Sequence, residues 1–406
     1  MRNPKGSLPV AAALLTFGVA ISAAAQNTPA RGNVIVPRSS VARPEDAGLR
    51  AHTNLLVFVP DSNQPEQSFS GETPASLACV YKLVAQVSGC PISGTTLLPT
   101  GGSGAIAIVD AYDDPNAASD LATFSSTFGL PAANFSVVYA SGKKPPQDST
   151  GGWELEESLD IEWAHAMAPN AQLYLVEASS NSNSALYAAE GVASSLVSAA
   201  GGGEVSNSWG GGETRGETSN DSKYFATSNV VYFASAGDSP GVIYPSASPN
   251  VVSAGGTTVN RSGGNFTSET AWSSGGGGTS RYESRPSYQS SVSSIVGSKR
   301  GTPDFSFDAN PNTGVQVYDT IAYEGTVGPW WIVGGTSVSS PSLAGIVNAT
   351  GHFYTSTNSE LTTIYSYLGN SSDFRDITSG SCGTHSAKVG YDLCTGVGSD
   401  QGYSGK

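Results

Sequence analysis

Charge is scarce in this chain. Only 13% of its 406 residues are Asp, Glu, Lys or Arg, and acids outnumber bases 33 to 19. The net charge is −14; residues 26–406 carry −16, because Arg2 and Lys5 precede them and no acid does. That balance argues against nucleic acid and anionic membrane surfaces as partners. No stretch beyond the N-terminus is apolar enough to span a bilayer. Histidine is rare, with His52, His165, His352 and His385 the full set. The four cysteines, Cys79, Cys90, Cys382 and Cys394, lack CxxC spacing, which speaks against a zinc framework. The run Gly275–Gly278 has neither a P-loop lysine nor GxGxxG spacing, so it reads as a flexible loop without a phosphate role.

Glycine is abundant instead, at 49 residues, alongside many Ser and Thr. A surface that is polar without being charged suits an acidic medium, where carboxylates are partly neutralised. The N-terminus has Arg2 and Lys5, an apolar run Val10–Ile21, and small residues Ser22–Ala25 before Gln26. This is the pattern of a secretory signal peptide over 1–25, and it predicts a secreted protein. Export makes disulfides plausible, and four cysteines allow three pairings. The two local pairs, Cys79–Cys90 and Cys382–Cys394, each close a short loop and are the pairing expected.

Residues 26–72 are weakly periodic, with one strand predicted at Leu55–Val59. Thr73 and Pro74 then form an N-cap and N1 pair that opens a helix. Strands are predicted at 104–109, 171–176, 204–208, 230–234 and 251–254, and helices at 119–128, 154–168 and 184–199. Alternation of this kind predicts an α/β fold with a mainly parallel sheet. Such sheets bind ligands beyond the carboxyl ends of their strands. Asp110, Trp209, Asp238 and Ser337 all follow strands or precede helices, and so are expected to share one site.

Ser337 stands in Gly334-Gly335-Thr336-Ser337-Val338-Ser339-Ser340-Pro341, a small-residue turn opening a helix. Such a turn can expose a nucleophilic hydroxyl. None of the four histidines is followed by Gly in a His-Gly-Thr turn, and His165, the strongest of them, reads as an ordinary helix-face residue. A carboxylate base is the alternative. Glu156 and Asp160 are four apart, on one face of the acidic segment 153–162. Like charges at that spacing should share a proton over part of the pH range. Taken alone, such a pair is ordinarily a solvated helix face. Asp238 follows a strand at a Gly turn; protonated, it can donate to a developing oxyanion, whereas ionised it would repel one.

Together these residues resemble the sedolisin family of serine-carboxyl peptidases, which have a subtilisin-like fold. The resemblance covers about 73–404 and includes Ser206-Asn207-Ser208-Trp209-Gly210, Tyr244–Pro249 and Gly255-Gly256-Thr257. It implies a three-layer α/β architecture with a mainly parallel central sheet flanked by helices. Ser337 would be the nucleophile, Glu156 the general base, Asp160 its partner and Asp238 the oxyanion donor. Asp110 would be a supporting carboxylate linked to the base and to Trp209. Asp376-Ile377-Thr378 and Gly390-Tyr391-Asp392 match the family's calcium loop. One Ca2+ would be held by the Asp376 and Asp392 side chains and the carbonyls of Ile377, Lys388 and Gly390. The family's long N-terminal prosegment has no counterpart of ordinary size here, because only 26–72 separate the signal from a catalytic domain at 73–406.

The resulting expectation is a secreted, monomeric, acid-acting endopeptidase on protein or peptide substrates. A silent binding protein on the same scaffold, and tripeptidyl-peptidase action, are the alternatives. Ile243 beside Tyr244, near the expected P1 pocket, speaks against a strong basic preference.

Overall fold

The computed structural model describes residues 1, 32–60, 71–321, 323 and 328–406. Except for residue 1, the expected signal peptide lies outside the described residues. The chain centres on a ten-stranded sheet. Its spine runs Asn134–Tyr139, Gln172–Ala178, Ala105–Ala111, Gly203–Asn207, Val230–Ser235, Val252–Ser262 and Phe305–Asp308, every neighbouring pair parallel. Ala105–Ala111 is buried at all seven positions, as a continuous apolar run requires of a strand covered on both faces. Asn265–Ala271 pairs antiparallel with Val252–Ser262, a hairpin that extends the short strand expected at 251–254.

Thr73 caps the helix Pro74–Val80 as expected, and Ser76 completes a reciprocal capping box. The expected helices are Ala117–Phe128, Gly152–Met167 and Asn183–Ala199. Both disulfides form between the local partners, Cys79 with Cys90 and Cys382 with Cys394.

Residues 32–60 are more ordered than their weak periodicity suggests. Gly32–Ile35 pairs with Leu56–Pro60, which pairs with Trp330–Gly334, and that strand pairs with Val315–Tyr318. His52–Thr53 joins a second small sheet through Trp209–Gly210.

Two helices define the centre of the molecule. Gly152–Met167 is buried over its whole length, although it carries Glu154, Glu156, Glu157, Asp160 and Glu162. It packs against Thr336–Ala349, which is buried from Thr336 to Asn348. The acidic face is therefore interior and not the solvated surface that an isolated Glu/Asp pair usually marks. The Gly275–Gly278 run differs from expectation too. Gly276 N–H donates to Gly237 O at 2.7 Å and Gly277 N–H to Gly241 O at 2.7 Å. A Cβ on Gly276 would come within 2.0 Å of Ala236 O, so glycine permits backbone-to-backbone packing beneath the Asp238 turn.

Burial raises the acids of this interior. Glu154 is pushed up to about 8, Glu177 to about 9, and Asp319 and Glu360 to about 8. A carboxyl whose pKa is higher folded than unfolded binds more protons in the native state. Its contribution is fully present below the unfolded value near 4 and is lost as pH rises through 7–9, at about 1.4 kcal/mol per pH unit per group. Thermal unfolding should therefore give a melting temperature that falls from pH 5 to pH 9. A melting temperature that rises over that interval would contradict the protonated interior.

Candidate active site

The serine is presented by a turn that only glycine can make. Gly335 has φ 104° and caps the helix Thr336–Ala349. A Cβ there would lie 2.1 Å from Asn54 O and 2.5 Å from Asp238 Oδ2. Ser337 follows in the first helical turn, where free N–H groups favour negative charge. Its hydroxyl donates to Ser208 O at 3.3 Å and accepts from Asn54 N–H at 3.2 Å. Its own N–H donates to Asn54 O at 3.0 Å.

Pro341 sits inside this helix. It has no N–H for the carbonyl four residues earlier, which is that of Ser337. Ser208 Oγ stands in, 3.3 Å from Ser337 O and 2.9 Å from Asp160 Oδ1. Ser208 has one proton; when it is given to the Ser337 carbonyl, its oxygen can accept from a protonated Asp160. The proline thus ties the serine turn to the carboxylate pair.

Glu156, Asp160 and Asp110 are fully buried and electrostatically linked. Burial raises Glu156 well above the ordinary range, and the charges of Asp160 and Asp110 raise it further; the nearby Ser337 hydroxyl works against this. Asp160 is raised by burial, against the hydrogen bond it accepts from Ser208 and the influence of the neighbouring Glu156. Asp110, at the end of its strand, is raised by burial and then by Asp160 and Glu177. Three such acids cannot all ionise together, so the cluster retains protons where exposed carboxyls have lost theirs. Trp209 sits beside them, but its indole N–H donates to Val109 O at 2.8 Å, while the Asp110 carboxyl has no hydrogen-bond partner among the described residues.

Asp238 lies on the other side of the serine. Its Oδ1 accepts from Thr336 N–H at 2.7 Å and lies 2.9 Å from Thr336 Oγ1. Its Oδ2 is buried without a partner. Burial lifts its pKa to about 7, against the Thr336 hydrogen bonds, so in acid Oδ2 can carry a proton to donate.

No histidine takes the base position among the described residues. His165 bonds Pro131 O at 2.9 Å and burial lowers its pKa, and His52 bonds Thr53 O at 3.0 Å. Ile243 stands over Gly210 and Gly237: a Cβ on either would meet its side chain, at 2.6 and 3.3 Å.

At the C-terminal loop, Asp376 Oδ2 accepts from Gly390 N–H at 3.0 Å. Asp392 accepts from the N–H groups of Lys388, Cys394 and Thr395 at 2.8–3.0 Å. Asp376 Oδ1 is buried and unpartnered. Among the described residues no cluster of three or more metal-ligating side chains occurs.

Sequence reasoning missed Asn54 and the role of Ser208. Ser208 lies inside a quoted motif, so a signal existed. Asn54 works through its backbone, which no residue type advertises.

No protein-family model matches the chain. Sedolisin from Pseudomonas sp. (strain 101) is 28% identical over 285 residues, 61% of this chain and 47% of that protein. Kumamolisin from Bacillus sp. (strain MN-32) is 30% identical over 341 residues, 73% of this chain and 58% of that protein. The chain thus spans about half the length of the curated relatives it matches. The solved structure of Pseudomonas sedolisin, a serine-carboxyl proteinase complexed with two molecules of pseudo-iodotyrostatin, superposes with a TM-score of 0.67 at 26% identity. That match covers 82% of this chain and 96% of that one. The order of motifs, the parallel sheet and these likenesses agree: the chain belongs to the sedolisin family of serine-carboxyl peptidases.

Proposed function

We propose that this protein is a secreted endopeptidase that hydrolyses peptide bonds in acid through Ser337. The observation that carries the reading is a serine set between two kinds of buried carboxyl. On one side lie Glu156 and Asp160, and on the other Asp238, whose Oδ2 has no partner. The Ser337 hydroxyl would pass its proton to Glu156 while its oxygen attacks the substrate carbonyl. Asp160 shares charge with Glu156 and keeps a proton on the pair. The developing oxyanion would take hydrogen bonds from the Ser337 N–H and from protonated Asp238. The proton on Glu156 would go to the leaving amine, and water would then attack the acyl-enzyme with Glu156 again as base.

Two protonation states must coexist, and this bounds the pH range. The dyad has to release enough charge to act as base, and Asp238 has to keep its proton. Asp238 loses it above about pH 7, which sets the alkaline limit. The scarcity of surface charge and the signal-like N-terminus support the same setting.

The loop around Asp376 and Asp392 suits a hard cation. Both carboxylates fasten the 388–392 turn, and Asp376 Oδ1 is an unused buried oxygen. One Ca2+ on these carboxylates, with the carbonyls of Ile377, Lys388 and Gly390, would neutralise them and stiffen a loop already closed by Cys382–Cys394.

Ser337→Ala should lower hydrolysis of a denatured protein at pH 4 by at least about 10⁴-fold with the fold retained; turnover within tenfold of wild type would refute the nucleophile. Asp238→Ala should cost roughly 10²–10³ in kcat. Asp238→Asn supplies a donor that does not titrate, so its alkaline limb should move upward; an unmoved limb would show that another group sets it. Asp376→Ala should lower the melting temperature and abolish any further loss on adding a chelator. If the chelator still destabilises the variant, the ion binds elsewhere.

A further inference from the structure

One side chain lies in the pocket beside Ser337, and it shows what that pocket can read. His52 lies opposite Gly210 and Thr53 opposite Trp209 in antiparallel register, and Asn54 N–H donates to Ser208 O at 3.2 Å. Asn54 then meets Ser337 at both ends of its backbone. Its N–H lies 3.2 Å from Ser337 Oγ, and its carbonyl oxygen accepts the Ser337 N–H at 3.0 Å. That oxygen and Asp238 Oδ2 border the same small space, the space a Gly335 Cβ would fill. Main-chain bonds of this kind are how an extended peptide is recognised. Asn54 therefore stands in for the substrate residue whose carbonyl is attacked, and its side chain marks the pocket for that residue.

The pocket is dry, short and polar at one point. Asn54 Nδ2 donates to Ser235 Oγ at 2.7 Å, and both residues are buried. Ser235 ends the strand Val230–Ser235, and among the described residues no other group hydrogen-bonds to its hydroxyl. Gly237 lies two residues beyond Ser235, and Gly210 two beyond Ser208. A Cβ on either glycine would meet the Ile243 side chain, at 3.3 Å from Gly237 and 2.6 Å from Gly210. Ile243 thus spans the gap between the two segments that hold Asn54 and limits the length of side chain admitted. Those segments, 208–212 and 235–237, contain only Ser, Trp, Gly and Ala, so neither supplies a counter-ion for a charged side chain.

We propose that this pocket selects asparagine on the acyl side of the bond to be cut, with Ser235 setting the preference for a carboxamide and Ile243 setting the size limit. The proposal rests on the peptidase reading above and names its substrate class. Ser235 acts on binding and orientation: its hydroxyl accepts one N–H of the substrate amide and takes no part in proton transfer. Leucine has nearly the shape of asparagine and could fill the same space, but it would leave that hydroxyl buried without a partner. A site built to hydrogen-bond its substrate discriminates against an analogue lacking the group. Glutamine carries the same amide one methylene further and would run into Ile243. Lysine and arginine are both too long and charged.

The test is to digest a denatured protein at pH 4 with the full-length protein and to identify the new C-termini by mass spectrometry. Asparagine should dominate them. Two synthetic peptides that differ only in Asn or Leu at the acyl position should differ by at least about tenfold in kcat/KM, the cost of one buried hydroxyl left unpaired. Ser235→Ala should shrink that ratio to within about threefold, chiefly by lowering kcat/KM on the Asn peptide. Both peptides are cut by the same molecules, so partial misfolding lowers both rates and leaves the ratio unmoved. Ile243→Ala should raise the Gln peptide relative to the Asn peptide. Cleavage without preference for Asn, or a ratio that Ser235→Ala leaves at its wild-type value, would overturn the proposal and leave the peptidase reading standing. An Ile243→Ala variant with no gain on Gln would overturn the size limit. Absence of any digestion would overturn the peptidase reading itself.

Discussion

Taking carboxyl groups out of water is the constraint from which the rest of the site follows. An isolated buried carboxylate is so costly that the group keeps its proton instead. The helix Gly152–Met167 carries five acids into the interior, and the helix Thr336–Ala349 covers them. In water Glu156 would be ionised in mild acid and would be an ordinary weak base. Under the second helix its pKa is raised, by burial first and then by the charges of Asp160 and Asp110. The same covering brings the Ser337 hydroxyl beside Glu156. Desolvation and alignment are therefore one packing event.

Backbone groups do much of the positioning. Gly335 admits the turn, Pro341 frees the Ser337 carbonyl, and Ser208 bridges that carbonyl to Asp160. The glycines at 276 and 277 let a second chain segment press on the turn that holds Asp238. Each contact fixes one side of the serine, and none uses a charged surface group. A chain with few charges can build such a site, because its polar atoms are backbone amides, hydroxyls and protonated acids.

Legibility in the sequence followed the kind of physics involved. Parallel strands such as Ala105–Ala111 were readable because two covered faces demand an unbroken apolar run. Ser337, Glu156 and Asp238 could be singled out as candidates because the proposed chemistry needs those residue types in turn, helix and strand-end positions. The ordered strands Gly32–Ile35 and Val315–Tyr318 were not, since each depends on a partner distant in the chain. Burial of the acidic helix was equally hidden. Glu and Asp at helical spacing look the same on a wet face and a dry one, and only the packing of Thr336–Ala349 distinguishes them. Asn54 was invisible for a different reason: its contacts to Ser337 are made by N–H and C=O, which every residue but proline carries.

Chemistry and stability meet in the same protons. Asp238 near 7 would limit the proposed oxyanion donor, and Glu154, Asp319 and Glu360 near 8 would limit the fold. As pH rises, the proposed donor and the protonated interior are lost together, because burial holds both sets of protons; Asp114 is pushed up to about 7, like Asp238. Asp238 is relieved by two hydrogen bonds from Thr336. Glu360, by contrast, has no hydrogen-bond partner for either oxygen among the described residues, and the charge of Lys406 favours its ionised form. The hydrogen bonds from Thr336 that orient Asp238 also work against the rise that burial causes in its pKa. Aim and acid dependence are two consequences of one contact.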